Sequence, residues 1–364
     1  MQGAGYMSSG MPRFLKYSLT RGITLIIVVT LAVYATVVIA NMGGYVDEII
    51  KGQLSDEINQ SIFQNPAYRN LSTEEKKQLV DELYKQEIER LGLDQPFIYR
   101  SVGYLTSALS LNLGRSRFMS SDSGSRTVRL IILERLPTTI LLFTSINLTI
   151  FFLSLFGGLF LSRRHGSKID KAIVSLSPLS SIPGWFYGIF LILIFASWFR
   201  LLPYGGLVDI PPPSNTFDYA LSVLKHMILP VASWIVAYFF IQTYVKRTFF
   251  LMFSSEDYVE MAKAKGVPPR LIERRYVLRP TLPPIITEFA LMLIGSWMGA
   301  IVTERVFNWP GIGSLFYRAI GLLDSPVIIG EVVIYAYLLA ITVFILDIVY
   351  AAMDPRIRVG GLRT

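Results

Sequence analysis

The sequence predicts an all-α membrane protein: six transmembrane helices, with a large helical outer segment between the first and the second. Three observations carry that prediction. Of the 364 residues, 52% are apolar and only 16% charged, against about 25% charged in soluble domains, and mean hydropathy is +0.48. Six runs reach the roughly 20 mostly apolar residues that cross a hydrocarbon layer. Lys and Arg fall unequally in the segments between those runs, which sets an orientation.

The six runs are 23–40, 136–161, 172–199, 227–244, 282–302 and 332–353. The first follows Arg13, Lys16 and Arg21 and ends on Val38-Ile39-Ala40, the pattern of a cleaved secretory signal. Its 18-residue apolar core is long for a signal, so a retained anchor is expected. With the N-terminus inside, the inner short segments hold eighteen Lys and Arg. The outer short loops hold four, Arg200, Lys225, Arg305 and Arg318. Both termini are therefore expected on the cytoplasmic side of the cell membrane. The chain divides into a cytoplasmic N-terminus with first span (1–40), an extracytoplasmic segment (41–135), a five-helix core (136–353) containing a cytoplasmic loop (248–280), and a tail (354–364).

The outer segment carries helix signals of its own. Ser72 and Glu75 read as a capping box, followed at helical spacing by Leu79, Val80, Leu83, Tyr84, Ile88 and Leu91, with Gly92 as the stop. Asp94 and Pro96 open a second helical stretch through Phe97, Tyr104 and Leu109. The Ser/Gly-rich run 119–125 is expected to be mobile, and 127–135, alternating Arg with Val, Leu and Ile, to lie on the bilayer as an amphipathic elbow.

Several chemistries are excluded. No phosphate-binding G-x-x-x-x-G-K-[ST] loop, H-E-x-x-H or G-x-S-x-G occurs, so no catalytic residue is assigned. There is no cysteine, and the two histidines, His165 and His226, are far apart in sequence. No metal or cofactor site is expected in the chain. The net charge of +8 follows from the inner loops and does not call for nucleic acid. Two acidic residues fall in the apolar runs, Glu288 and Asp347, each expected at an interface or paired with the basic loop. Gly295, Ser296, Trp297 and Gly299 form a close-approach face in the fifth run, suited to packing within the chain or against a second membrane subunit. Gly184 and Gly188 offer the same in the third, and Pro178, Pro183 and Pro230 are positioned to kink their helices.

The loop 254–280 is too organised for a connector. Ser254 is placed to cap a helix with Asp257 at its third position. Tyr258, Met261 and Ala262 share a face, while Glu256, Glu260 and Lys263 stay solvated. Gly266 suits the left-handed residue that ends a helix. Pro268 and Pro269 suit the first turn of the next, which runs through Leu271, Ile272 and Val277. A helix–Gly–helix elbow with an apolar knob results, fit for a groove on a partner or for the membrane surface.

Glu260-Met261-Ala262-x-x-x-Gly266 resembles the E-A-A-x-x-x-G loop of permease subunits of binding-protein-dependent ABC importers. Further stretches are similar to the dipeptide/oligopeptide/nickel branch of that family: Leu91-Gly92-Leu93-Asp94-Gln95-Pro96, Val306-Phe307-Asn308-Trp309-Pro310-Gly311-Ile312-Gly313, Asp324-Ser325-Pro326-Val327, and Asp347-Ile348-Val349-Tyr350 through Arg358. Met261 departs from the family's first Ala, Tyr276-Val277-Leu278-Arg279-Pro280 from its I-x-L-P, and 53–90 is longer than usual. The resemblance implies a type I importer permease fold, with Asp257, Tyr258, Glu260, Met261, Ala262 and Gly266 coupling to ATPases. It implies a second, non-identical permease subunit, two ABC ATPase subunits that bind ATP and Mg, an extracytoplasmic substrate-binding protein, and membrane lipid around the spans. The cargo implied is dipeptides or oligopeptides. Oligosaccharides are an alternative, with Trp198, Tyr204 and Trp309 as stacking surfaces, and a stand-alone ion-coupled carrier or channel is another.

Overall fold

The computed structural model describes residues 10–41, 44–295 and 301–353, and among them the chain is helical, with one isolated bridge between Arg115 and Thr127. The helices are α1 (Gly10–Asn41), α2 (Tyr45–Phe63), α3 (Thr73–Arg90), α4 (Phe97–Leu109) and α5 (Val128–Ser162). Next come α6 (Lys168–Leu176), α7 (Gly184–Leu191), α8 (Thr216–Ser254), α9 (Asp257–Ala264) and α10 (Pro269–Ile272). The last four are α11 (Arg279–Gly295), α12 (Ile301–Val306), α13 (Ile312–Gly321) and α14 (Ser325–Met353). Contacts divide the chain into two compact units, Met1–Ile131 with Leu322–Thr364, and Ile132–Gly321.

In the first unit α1 packs along α14. Val29, Val33 and Val37, one per helical turn, close on Ala108 and Val333. Arg21 pairs with Asp347, so the acidic residue of the last apolar run is neutralised within the chain. Asp324 is buried at the start of α14. Its carboxylate accepts the Ser116 hydroxyl at 2.6 Å and the backbone N–H groups of Arg117 and Phe118 at 3.1 Å, pinning the loop before α5. α3 carries the expected capping box: Glu75 N–H donates to Ser72 Oγ and Ser72 N–H to the Glu75 carboxylate. Gly92 closes the helix at φ +66. Two expectations for this segment are corrected. The run 119–125 is a hydrogen-bonded turn, because its serines serve their own backbone: Ser125 N–H donates to Ser121 Oγ, and Ser121 N–H donates to Ser125 O. The stretch 127–135 is no separate elbow: after Thr127, which bridges to Arg115, it forms the first turns of α5, with Val128 and Ile131 buried.

In the second unit α7 and α8 pack closely. A Cβ on Gly184 would meet the Trp234 ring at 3.0 Å, and one on Gly188 the Phe307 ring at 2.6 Å, so these glycines serve packing within the chain. Among the described residues four helices are long and apolar enough to cross a membrane, α1, α5, α8 and α14, or five if one bent pair counts as a span. That pair is Lys168–Ser181 with Gly184–Trp198, bent by 98°. The third expected run is thus broken, because Pro183 lacks the N–H that would carry the helix on and instead stands as the N-cap of α7. Pro230, by contrast, stays inside an unbroken α8. The fifth expected run, 282–302, includes residues outside the described ones.

Candidate functional site

The loop between α8 and α11 forms an elbow within the second unit. α8 ends at Ser254, whose hydroxyl turns back to the Leu251 carbonyl at 2.8 Å. The N-cap of α9 is therefore Glu256, without a side-chain cap, which corrects the expected Ser254 cap. Asp257 and Glu260 lie in the first turn, where negative charge favours the helix dipole. The buried face also differs from expectation. Val259 and Ala262 point inward, joining Phe151, Phe250, Ile272, Val277 and Ile285 in one apolar cluster. Tyr258 and Met261, expected beside Ala262, face out, Met261 56% exposed. Glu260 stays solvated, paired with Lys263 one turn on.

Gly266 ends α9 at φ +72. Its N–H donates to Lys263 O at 2.9 Å and that of Val267 to Ala262 O at 3.2 Å, the paired bonds of a Schellman stop. Pro268 and Pro269 then open α10, and Glu273–Leu278 continues as a π-helical turn into α11.

Three ion pairs brace this end of the bundle. Arg163, just past α5, donates to Glu273 in the π-turn, Nε at 2.7 Å. Lys246 and Arg247, neighbours on α8, reach in different directions. Lys246, 0% exposed, donates to Glu288 of α11 at 2.9 Å and sits 5.3 Å from the Phe151 ring centre. Arg247 forks onto Asp170 of α6, with Nη2 at 2.7 Å, and also contacts His165. Glu288, expected at an interface or paired with the basic loop, is paired with Lys246, the first of the inner cations that lead into that loop.

A second polar knot lies at α12 and α13. Glu304 is fully buried; it accepts the Thr139 hydroxyl at 2.7 Å and Ser314 N–H at 2.9 Å. Thr139 Oγ accepts Ile312 N–H at 2.8 Å, and Trp309 Nε1 donates to Thr138 O at 2.9 Å. Gly311 must be glycine here, since a Cβ would strike both Thr139 Oγ and the Glu304 carboxylate. Trp309, at 0% exposure, offers no stacking surface, unlike the exposed Trp198 and Tyr204. Ser296, Trp297 and Gly299 lie outside the described residues, and Gly295 is the last residue of α11. No group of three or more metal-ligating side chains occurs among the described residues. Sequence reasoning missed Val259, although its spacing to Ala262 was available. It also missed Lys246 and Glu304, whose partners lie 42 and 165 positions away.

The model of the binding-protein-dependent transport system inner membrane component family matches residues 154–359, which hold the elbow, the ion-pair belt and the Glu304 knot apart from Thr138 and Thr139. The chain belongs to this family. As an inner membrane component it is a multi-pass transport protein, not a catalytic one. It is similar to the oligopeptide transport system permease protein AppB of Bacillus subtilis, 32% identical over 75% of this chain and 84% of that one. It is also 30% identical to the di/tripeptide transport system permease protein DppB of Pseudomonas aeruginosa, over 76% of this chain and 85% of that one. The dipeptide transport system permease protein DppB of Bacillus subtilis is 32% identical, over 73% and 81%. The family match in this inner membrane component begins beyond α2, α3 and α4.

Proposed function

We propose that this chain is a permease subunit of an ATP-driven importer of dipeptides or oligopeptides, and that its α9 elbow takes the force of ATP hydrolysis from separate ATPase subunits. The observation that carries the reading is the two-sidedness of α9. Val259 and Ala262 are locked into the bundle core, while Tyr258, Glu260 and Met261 stay exposed one position away. A partner that grips the exposed side moves a body already joined to α5, α8 and α11. Coupling of this kind needs an element with two arrangements that both ends bias. Partner ATPases holding ATP and Mg would supply one bias. A second permease subunit and an extracytoplasmic binding protein would complete the path, and the relatives' names support peptide cargo.

The orientation follows from eighteen inner against four outer cations in short segments, with both termini cytoplasmic. In that frame 41–135, with α2, α3 and α4, is the outer segment. Residues 136–353 are the core, with the coupling loop 248–280 inside, and the run 282–302 is taken as the fifth of six spans. The test is reconstitution of the importer in vesicles with its ATPases. Met261→Glu is expected to keep the fold and abolish ATP-dependent peptide uptake, because it changes only the gripped side. Unchanged uptake, or uptake by this chain alone driven by an ion gradient, would overturn the reading.

A further inference from the structure

A groove of about 710 Å³ opens beside the elbow, between α5 and the start of α11. Its walls are apolar: Phe156 and Leu159 from α5, Leu278 and Leu282 from the other side. Arg274, Arg275 and Arg279 line the same groove. The π-turn Glu273–Leu278 brings them together. Its wider winding sets residues four to five apart on one side, so Arg274 and Arg275 stand over Arg279 with Leu278 between. All three arginines are exposed and none has an ion-pair partner among the described residues, although Glu273 beside them is taken by Arg163.

We infer that this groove is a binding site for an anionic phospholipid, acyl chain against Phe156, Leu159 and Leu282, phosphate against the three arginines. Phe156, Leu159 and Leu282 belong to the apolar runs 136–161 and 282–302, and Leu278 adds to them from the end of the loop 248–280. The arginines precede the second run and stand at its border. Cations at the edge of an apolar cleft between membrane helices match an anionic headgroup in charge and in depth. A zwitterionic lipid offers the same chains without the net charge, and a free phosphate leaves the apolar walls uncovered. The inference stands on the groove and does not depend on cargo or coupling.

The test is native mass spectrometry of the full-length chain, extracted in mild detergent with the subunits that accompany it and offered phosphatidylglycerol against phosphatidylcholine. Wild type is expected to retain phosphatidylglycerol preferentially. Retention should fall roughly fivefold for each arginine replaced by glutamine, about a hundredfold for Arg274→Gln, Arg275→Gln and Arg279→Gln together. The surface control Lys168→Gln with Lys171→Gln should retain it as wild type does. Wild type alone gives a second reading: phosphatidylglycerol should raise its unfolding temperature more than phosphatidylcholine. Equal retention of the two lipids, equal temperature shifts, or undiminished retention in the triple variant would overturn the proposal. So would cross-linking of Leu282→Cys, in a chain with no other cysteine, to a protein subunit seated in the groove.

Discussion

Lys246 is an ammonium group wholly withdrawn from solvent, held by one carboxylate oxygen of Glu288 and the face of Phe151. Removing a single partner from such a pair strands a charge in apolar surroundings, at a cost of about 3–5 kcal/mol, whereas replacing both with apolar groups is often neutral. Lys246→Met is therefore expected to destabilise strongly, and Lys246→Met with Glu288→Leu to recover most of the loss, read as unfolding temperature in detergent. Space behind the lysine is equally constrained, since a Cβ on Gly158 would lie 2.8 Å from Lys246 Cβ and 2.9 Å from Arg247 N.

At the level of the element, the α9 stop depends on backbone conformation alone. A Cβ on Gly266 would meet nothing within 4 Å, but φ is +72. Gly266→Ala should thus cost about 1–2 kcal/mol through left-handed strain, with no packing penalty, measurable by denaturation. In the first unit α2 and α4 are tied by a two-pronged pair, Arg100 Nη1 and Nη2 to Asp47 at 2.7 and 2.6 Å. Those bonds hold the Asp47 carboxyl below the usual carboxylate range. A depressed acid stabilises fully above its unfolded pKa, about 3.9, and loses that stabilisation as pH falls through the lower folded value. Relative to the intrinsic rate at each pH, amide protection across α2 and α4 should fall at acid pH in wild type, with less change in Asp47→Asn.

For the whole molecule the central prediction concerns sidedness. In single-cysteine variants of this cysteine-free chain, Gln86→Cys should react with an impermeant thiol reagent in intact cells, and Lys265→Cys only after permeabilisation. The reverse would invert the proposed orientation. The helical class was legible in the sequence because apolar runs and charge bias need no tertiary information. The Gly266 stop and the Ser72 capping box were legible for a related reason, being local backbone chemistry. The inward face of α9 was not: Tyr258, Val259, Met261 and Ala262 are all apolar enough, and only the cluster with Phe151, Phe250, Ile272, Val277 and Ile285 shows which two turn inward. The break at Pro183 was half visible, since proline announces a kink but not a bend of 98°. Glu304, Thr139 and Trp309 form a knot across long sequence separations that no local pattern reveals.

The adjacent cations of α8 have one more consequence, for where the chain can change length. Lys246 and Arg247 reach Glu288 and Asp170 on different helices, so both bonds depend on the phase of a single helix. One residue inserted upstream in α8 would turn that pair by about 100° and unseat both anchors at once, whatever the inserted side chain. Additions placed between helices, such as 64–72 between α2 and α3, rotate nothing in that belt. Growth and loss of sequence are therefore confined to the connectors, and α8 acts as a ruler whose divisions are fixed.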